Sequence, residues 1–194
     1  RSPGKWWNDD GGPRIYMTFG TVLGFMSIAR DVYQTALRAI EGLGGQVLLT
    51  VGHRFDASTL ADVPPNVRVE AWVDQAEVLA EADLVVCHGG SGTVFGSLGA
   101  GVPVVTIPAF ADQFENGRRV AAVGAGLAVE AQGAVDEGRP LLRPEEAPCI
   151  TAAIMSVLET AAFRDAARII AAEMVATPTA EEVMAELISL GPQS

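Results

Sequence analysis

Cysteine is almost missing from this sequence. Cys87 and Cys149 are the only two in 194 residues, and neither has a partner at metal-ligand spacing. A disulfide framework is therefore excluded as the organising device, and a reducing, cytoplasmic setting is the default expectation. Basic residues are scarce too. Lys and Arg total 13 against 24 Asp and Glu, a net charge of −11. Nucleic-acid binding needs a basic footprint and is excluded on that ground. A small anion is not excluded, because backbone N–H groups and helix N-termini can hold a diphosphate inside an acidic protein. No apolar run approaches the roughly 18 residues that would suggest a membrane span, so no membrane partner is expected. Arg1 to Gly12 is polar and Gly-rich, unlike a signal peptide. Internal repeats and low-complexity tracts are absent.

What is present reads as one globular domain. Apolar residues make up 49% and charged residues 19%, and the length suits a single sizeable core. Six short, mostly β-branched runs are spaced along the chain: Arg14–Phe19, Gln46–Val51, Val67–Ala71, Leu84–Cys87, Val104–Ile107 and Leu127–Glu130. They are apolar on both faces, which suits strands of a parallel sheet covered by helices on both sides. Between them lie helical patterns. One runs from near Ile28 to Leu43, with Ser27 placed to cap it and Gly44-Gly45 to end it. A short one covers Gln75–Glu81, another starts at Gly92 and stops before Gly101-Val102-Pro103, and another runs from Asp112 to Val123 with Gly124 as its stop. Ala131–Arg143 reads as a loop with a Gly-Arg-Pro turn. Pro144 to Leu190 reads as two or three helices broken at Pro178. The pattern predicts an α/β fold: a doubly wound, Rossmann-like parallel sheet of about six strands with closing C-terminal helices. Such sheets bind ligands at the carboxyl ends of their strands.

The loops at that edge carry the chemistry. After the fourth run comes His88-Gly89-Gly90-Ser91-Gly92-Thr93, opening a helix. Glycines let the backbone approach an anion, the helix start offers unpaired N–H donors, and Ser91 and Thr93 add hydroxyls. His88 can donate a hydrogen bond, or a charge if its pKa is raised. By itself such a segment is as often a plain Gly-rich turn. The third run ends in Ala71-Trp72-Val73-Asp74-Gln75. The Trp72 indole could stack on a base whose edge the Val73 backbone meets, although a core Trp is the commoner fate of a lone indole. Asp112-Gln113 could grip two vicinal hydroxyls, or could be an N-cap with a solvated neighbour. Gly20-Thr21, after the first run, could add donors to the same anion or form an ordinary turn. His53 and Arg54, after the second run, could line the cleft rim, although a solvated loop is the commoner fate; Cys87 reads as core packing, and Asp9-Asp10 is not read as a metal site.

Together Trp72-Val73-Asp74-Gln75, His88 to Thr93, Gly101-Val102-Pro103, Asp112-Gln113 and Asn116 resemble the donor-site signature of the glycosyltransferases that decorate natural products. The similarity covers roughly Arg14 to Glu130 and, more loosely, the closing helices. It implies half of a GT-B architecture, in which the C-terminal domain binds a nucleotide diphosphate sugar. By the resemblance Trp72 and Val73 hold the base, and Gln75 reaches the ribose or fixes its loop. His88, Gly89, Gly90, Ser91, Gly92 and Thr93 hold the diphosphate, with Gly20 and Thr21 beside them. Asp112 and Gln113 hold the sugar. It further implies inversion at the anomeric carbon, no metal and no cofactor beyond the TDP- or UDP-sugar substrate.

The sequence departs from the pattern in places. Many relatives carry a ribose-gripping Glu three residues after the motif's last Thr; here that position is Gly96, with the Ser97 hydroxyl as a candidate substitute. Ser91-Gly92-Thr93 replaces the plant Trp-Asn-Ser version, which places the chain nearer bacterial members and favours TDP over UDP. The family's catalytic base belongs to an N-terminal acceptor domain. Residues 1–13 are accordingly expected to be interdomain linker, 14–194 the donor domain, and no catalytic residue is expected in this chain. The small-molecule acceptor would be met through the missing half. A rival reading is a stand-alone donor-binding subunit paired with a membrane-anchored acceptor subunit. A sugar-nucleotide epimerase and an NAD-binding Rossmann domain are further rivals, the last disfavoured because Gly20 to Gly24 lacks the dinucleotide fingerprint.

Overall fold

Alternating buried strands and helices come together in a computed structural model, which describes residues 6–8, 11–130, 135–136, 139–140 and 142–189. The six apolar runs form one parallel sheet: β1 (Arg14–Thr18), β2 (Gln46–Thr50), β3 (Val67–Glu70), β4 (Leu84–Cys87), β5 (Val104–Thr106) and β6 (Gly126–Ala128). Their order is β3-β2-β1-β4-β5-β6. β1 pairs in parallel with β2 on one side and β4 on the other, so the winding reverses there. The crevice for a ligand lies outside the carboxyl ends of those two strands.

Side-chain alternation along β1 divides the core. Ile15 and Met17 face α1 (Ala29–Ile40) and α5 (Ala147–Glu159), whose Leu37, Ile40, Ile150 and Ile154 are fully or almost fully buried. Tyr16 faces the opposite layer. There Val78 of α2 (Gln75–Leu79), Leu98 of α3 (Ser91–Gly99), Val120 of α4 (Gln113–Ala122) and Ala167 of α6 (Ala161–Ala176) pack. Trp7, in the stretch read as linker, is 2% exposed and packs into this second layer beside Tyr16 and Leu48. At the amino edge of the sheet Asp83 accepts the Arg14 N–H at 2.9 Å and the Arg164 guanidinium at 2.8 Å, tying α6 to β1.

Several boundaries differ from the sequence reading. Ser27 does not cap α1. The chain enters through a 3-10 turn at Leu23–Phe25, and Ile28 is the N-cap residue, without a side-chain hydrogen bond. α1 stops at Ile40, before Gly44-Gly45, with Glu41 as C-cap. α3 begins one residue early, at Ser91. The expected 131–143 loop contains a two-stranded antiparallel hairpin, β7 (Val135–Asp136) with β8 (Arg139–Pro140). Gly138 of the expected turn lies outside the described residues. Among the described residues three helices follow the hairpin, α5, α6 and α7 (Ala180–Ser189), with Pro178 in the last break. Among the described residues no single helix is long and apolar enough to cross a membrane. Only a pair bent by 72° meets that test together, and α5, its first member, buries its apolar face in the core.

Candidate functional site

β4 delivers the first functional segment. Its last residue, Cys87, is fully buried; burial pushes the thiol up to about 12, and the sulfur accepts the Gly89 N–H at 3.4 Å. It is a packing residue, as its position in the strand implied. His88 follows at the strand's carboxyl end, and its ring is wedged between two loops. A Cβ on Gly20 would stand 2.9 Å from His88 Cε1, and one on Gly90 would overlap Nε2. Both positions therefore need glycine, and Gly20 also has a φ of +75° that side chains disfavour. Burial holds the His88 pKa below its usual 6.5. The Thr18 backbone and the Asp112 carboxylate act the other way, although Nδ1 makes no well-formed hydrogen bond. The imidazole is thus neutral near pH 7, contrary to the raised pKa entertained from sequence.

α3 starts beside it. The first helical N–H to find a partner is that of Val94, bonded to the Gly90 carbonyl at 3.0 Å. Helix geometry leaves the N–H groups of Ser91, Gly92 and Thr93 without intrahelical acceptors. The loop after β5 meets this start through a hydrogen-bond network. Ser91 Oγ donates to Asp112 Oδ2 at 2.8 Å. Asn116 Nδ2 donates to the Gly89 carbonyl at 2.9 Å, to Asp112 Oδ2 at 2.9 Å and to Ser91 Oγ at 3.2 Å. Those bonds from Ser91 and Asn116 hold the Asp112 carboxyl below its ordinary range. Asp112 occupies the N-cap position of α4 but its side chain caps nothing. Gln113 is not solvated either: it is 4% exposed, and its Oε1 accepts from the N–H groups of Ala109 and Phe110 at 2.9 and 3.1 Å.

These loops enclose a cleft of about 470 Å³. Gly20, Thr21, Gln75, His88, Gly90, Ser91, Gly92, Thr93, Asp112 and Gln113 all line it; Gly89 does not. Phe19, Val22 and Phe110 form an apolar wall that the sequence reading missed. A second cavity of about 220 Å³ adjoins it over the ends of β1, β2 and β3. Trp72 and Val73 line this one, together with Gly20, Thr21, Gln75 and Thr93, which are common to both. Trp72 is 58% exposed, so the core-Trp alternative fails. The floor carries the buried Tyr16 hydroxyl and Thr50 Oγ1, 3.3 Å apart. Ser97 is no substitute for the missing Glu: it is fully buried and donates to the Thr93 carbonyl at 2.7 Å. The space beside Gly96 is met instead by Gln75, whose Oε1 would lie 3.5 Å from a Cβ there. Asn116 was visible in the sequence as part of the family pattern, but its role as the hub joining the two loops was not. Its position four residues after Asp112 on a helix was the available signal. Among the described residues no group of three or more His, Cys, Asp or Glu could hold a metal ion.

Comparison with known proteins identifies the family of the fold that carries this cleft. Elloramycin glycosyltransferase ElmGT of Streptomyces olivaceus is 34% identical over 175 residues, 90% of this chain and 41% of its own. The crystal structure of glycosyltransferase SnogD from Streptomyces nogalater superposes with a TM-score of 0.73 at 28% identity, covering 96% of this chain and 46% of that one. Spinosyn rhamnosyltransferase SpnG, solved with thymidine diphosphate, gives 0.75 at 27% identity, covering 91% and 45%. The chain thus spans less than half the length of these relatives. The family model for the C-terminal domain of erythromycin biosynthesis protein CIII-like proteins matches residues 34–190. The chain belongs to that family, and with it to the natural-product nucleotide-sugar glycosyltransferases of GT-B type.

Proposed function

We propose that this chain is the donor-binding domain of a glycosyltransferase that moves a sugar from a TDP- or UDP-sugar to a small-molecule natural product. The observation that carries the reading is the pair of adjoining cavities at the switch point between β1 and β4, sharing Gly20, Thr21, Gln75 and Thr93. One offers an exposed indole to a base; the other offers a Gly-rich helix start to a diphosphate. The nucleoside sits against Trp72 and the Val73 backbone, with Gln75 at the pentose. The diphosphate meets Gly20, Thr21, His88 and the Gly90 to Thr93 turn, and Gly89 serves that turn from beneath. The sugar reaches Asp112, while Gln113, its Oε1 committed to backbone, shapes the loop and presents its amide to the cleft. The thymidine diphosphate bound to SpnG favours TDP.

In this reading the α3 N-terminus and His88 stabilise the charge that develops on the leaving diphosphate, the task a metal performs elsewhere. Transfer is direct and inverting. The base that deprotonates the acceptor comes from a complementary acceptor-binding half, and residues 1–13 are the linker towards it, fastened by Trp7. Calorimetry should give the same TDP dissociation constant with and without a chelator. Binding that disappears in chelator would sink the metal-independent reading. The Asn116 network makes a second expectation. Asn116→Ala removes three hydrogen bonds beneath the cleft without changing its charge. TDP affinity should fall by about fivefold, in line with the modest net worth of each bond. Unchanged affinity would mean that the network does not hold the phosphate loop in its binding form.

A further inference from the structure

We propose that His53 is the second wall of the nucleoside subsite, clamping the base against Trp72. The inference rests on the donor-site reading above. β2 ends at Thr50, Val51 is buried, and Gly52 takes a left-handed φ of +80°. That turn brings His53 onto the cavity that Ala71, Trp72 and Val73 also line. The imidazole is exposed and makes no hydrogen bond or ion pair among the described residues, so nothing holds it to another task. Its loop is nonetheless anchored by the two residues that follow it. The Arg54 guanidinium lies over the Phe25 ring at 5.3 Å, fastening the loop to the one after β1. Phe55 packs edge-on against the buried Tyr33, with ring centroids 4.7 Å apart. His53 is thereby presented from a braced segment, with little ordering left to occur on binding.

The indole alone covers one face of a flat base and leaves the other in water. An imidazole across a cavity of about 220 Å³ covers the second face, and the Tyr16–Thr50 hydroxyl pair waits at the floor for a polar edge. Two-sided stacking of this kind is tolerant of which pyrimidine is bound.

The test is calorimetry of the 194-residue chain with TDP, thymidine monophosphate and inorganic pyrophosphate. His53→Ala should weaken TDP and the monophosphate alike, each by about fivefold, the scale of one aromatic–base contact. Pyrophosphate binding should be unchanged. His53→Phe should recover most of the loss, because it restores a ring without the imidazole nitrogens. If wild type binds TDP and His53→Ala binds it equally well, the second wall is wrong and the donor-site reading stands. An equal loss on pyrophosphate would likewise overturn it, placing His53 on the diphosphate. Failure of the wild-type chain to bind TDP would remove the donor-site reading and this inference with it.

Discussion

Trp72→Ala should weaken TDP binding by about 1–3 kcal/mol, the range for removing an aromatic platform from a base. That corresponds to roughly 5- to 150-fold in dissociation constant. The side chain stands 58% exposed just after β3, where it lines the cavity proposed above for the nucleoside and fills no core space. The melting temperature should therefore hold while affinity falls. Pyrophosphate, which has no base, should bind the variant as it binds the wild type. The opposite pattern, a variant that loses stability while its folded fraction binds TDP normally, would return the indole to a packing role.

The largest expected effect on stability lies far from the cleft. Ile154→Ala should lower the unfolding free energy by about 2–5 kcal/mol in urea titration, combining lost transfer energy with the void left behind. Ile154 is fully buried in α5, in the same cluster as Ile15, Met17, Leu37 and Ile40. A residue on the neighbouring helix provides the contrast. Ile169 of α6 is 61% exposed, and Ile169→Ala should stay within about 0.5 kcal/mol of wild type. A loss below about 1 kcal/mol at Ile154 would mean that α5 is a loosely attached appendage and not part of the domain's core.

The fold was legible where periodicity and β-branching spoke together. All six strands of the sheet appear within a few residues of where the apolar runs place them: the inner strands β1, β2, β4 and β5 are buried along nearly their whole length and leave little room for polar residues, while the edge strand β3 keeps an exposed Arg68 and was marked by its alternating valines. Local rules failed where tertiary structure supplied the answer. Ser27 looked like a cap, but the chain arrives at α1 through a 3-10 turn that satisfies backbone groups by itself. The hairpin of Val135–Asp136 and Arg139–Pro140 is two residues deep on each side, too short to leave an alternation.

The site shows the same division. Which residues gather at the cleft was readable, since motif order along the chain maps onto strand ends along the sheet. Which way each side chain turns was not. Gln113 looked like a free amide for a sugar, yet its carbonyl oxygen bonds two backbone N–H groups of its own loop. Ser97 looked like a spare hydroxyl and is sealed inside α3 against Thr93. His53 was readable as a rim residue or as a solvated one, with the second favoured; it lines the cavity with Trp72, because sequence carries no measure of what a left-handed turn at Gly52 brings near.

The imidazole of His88, wedged between Gly20 and Gly90, makes three positions on two loops into one steric unit. Neither glycine can gain a methyl group while the ring is in place, and a smaller residue at 88 would leave a hole where the ring stood. Change at these positions is therefore order-dependent. A lineage, or an engineer, that begins with Gly90 meets an immediate clash. One that begins with His88 first gives up the buried ring, and with it the diphosphate contact proposed above, and only then has room to alter the glycines. Each single step is unfavourable for a different reason, and that coupling by itself can keep all three residues together over long divergence without any of them acting alone.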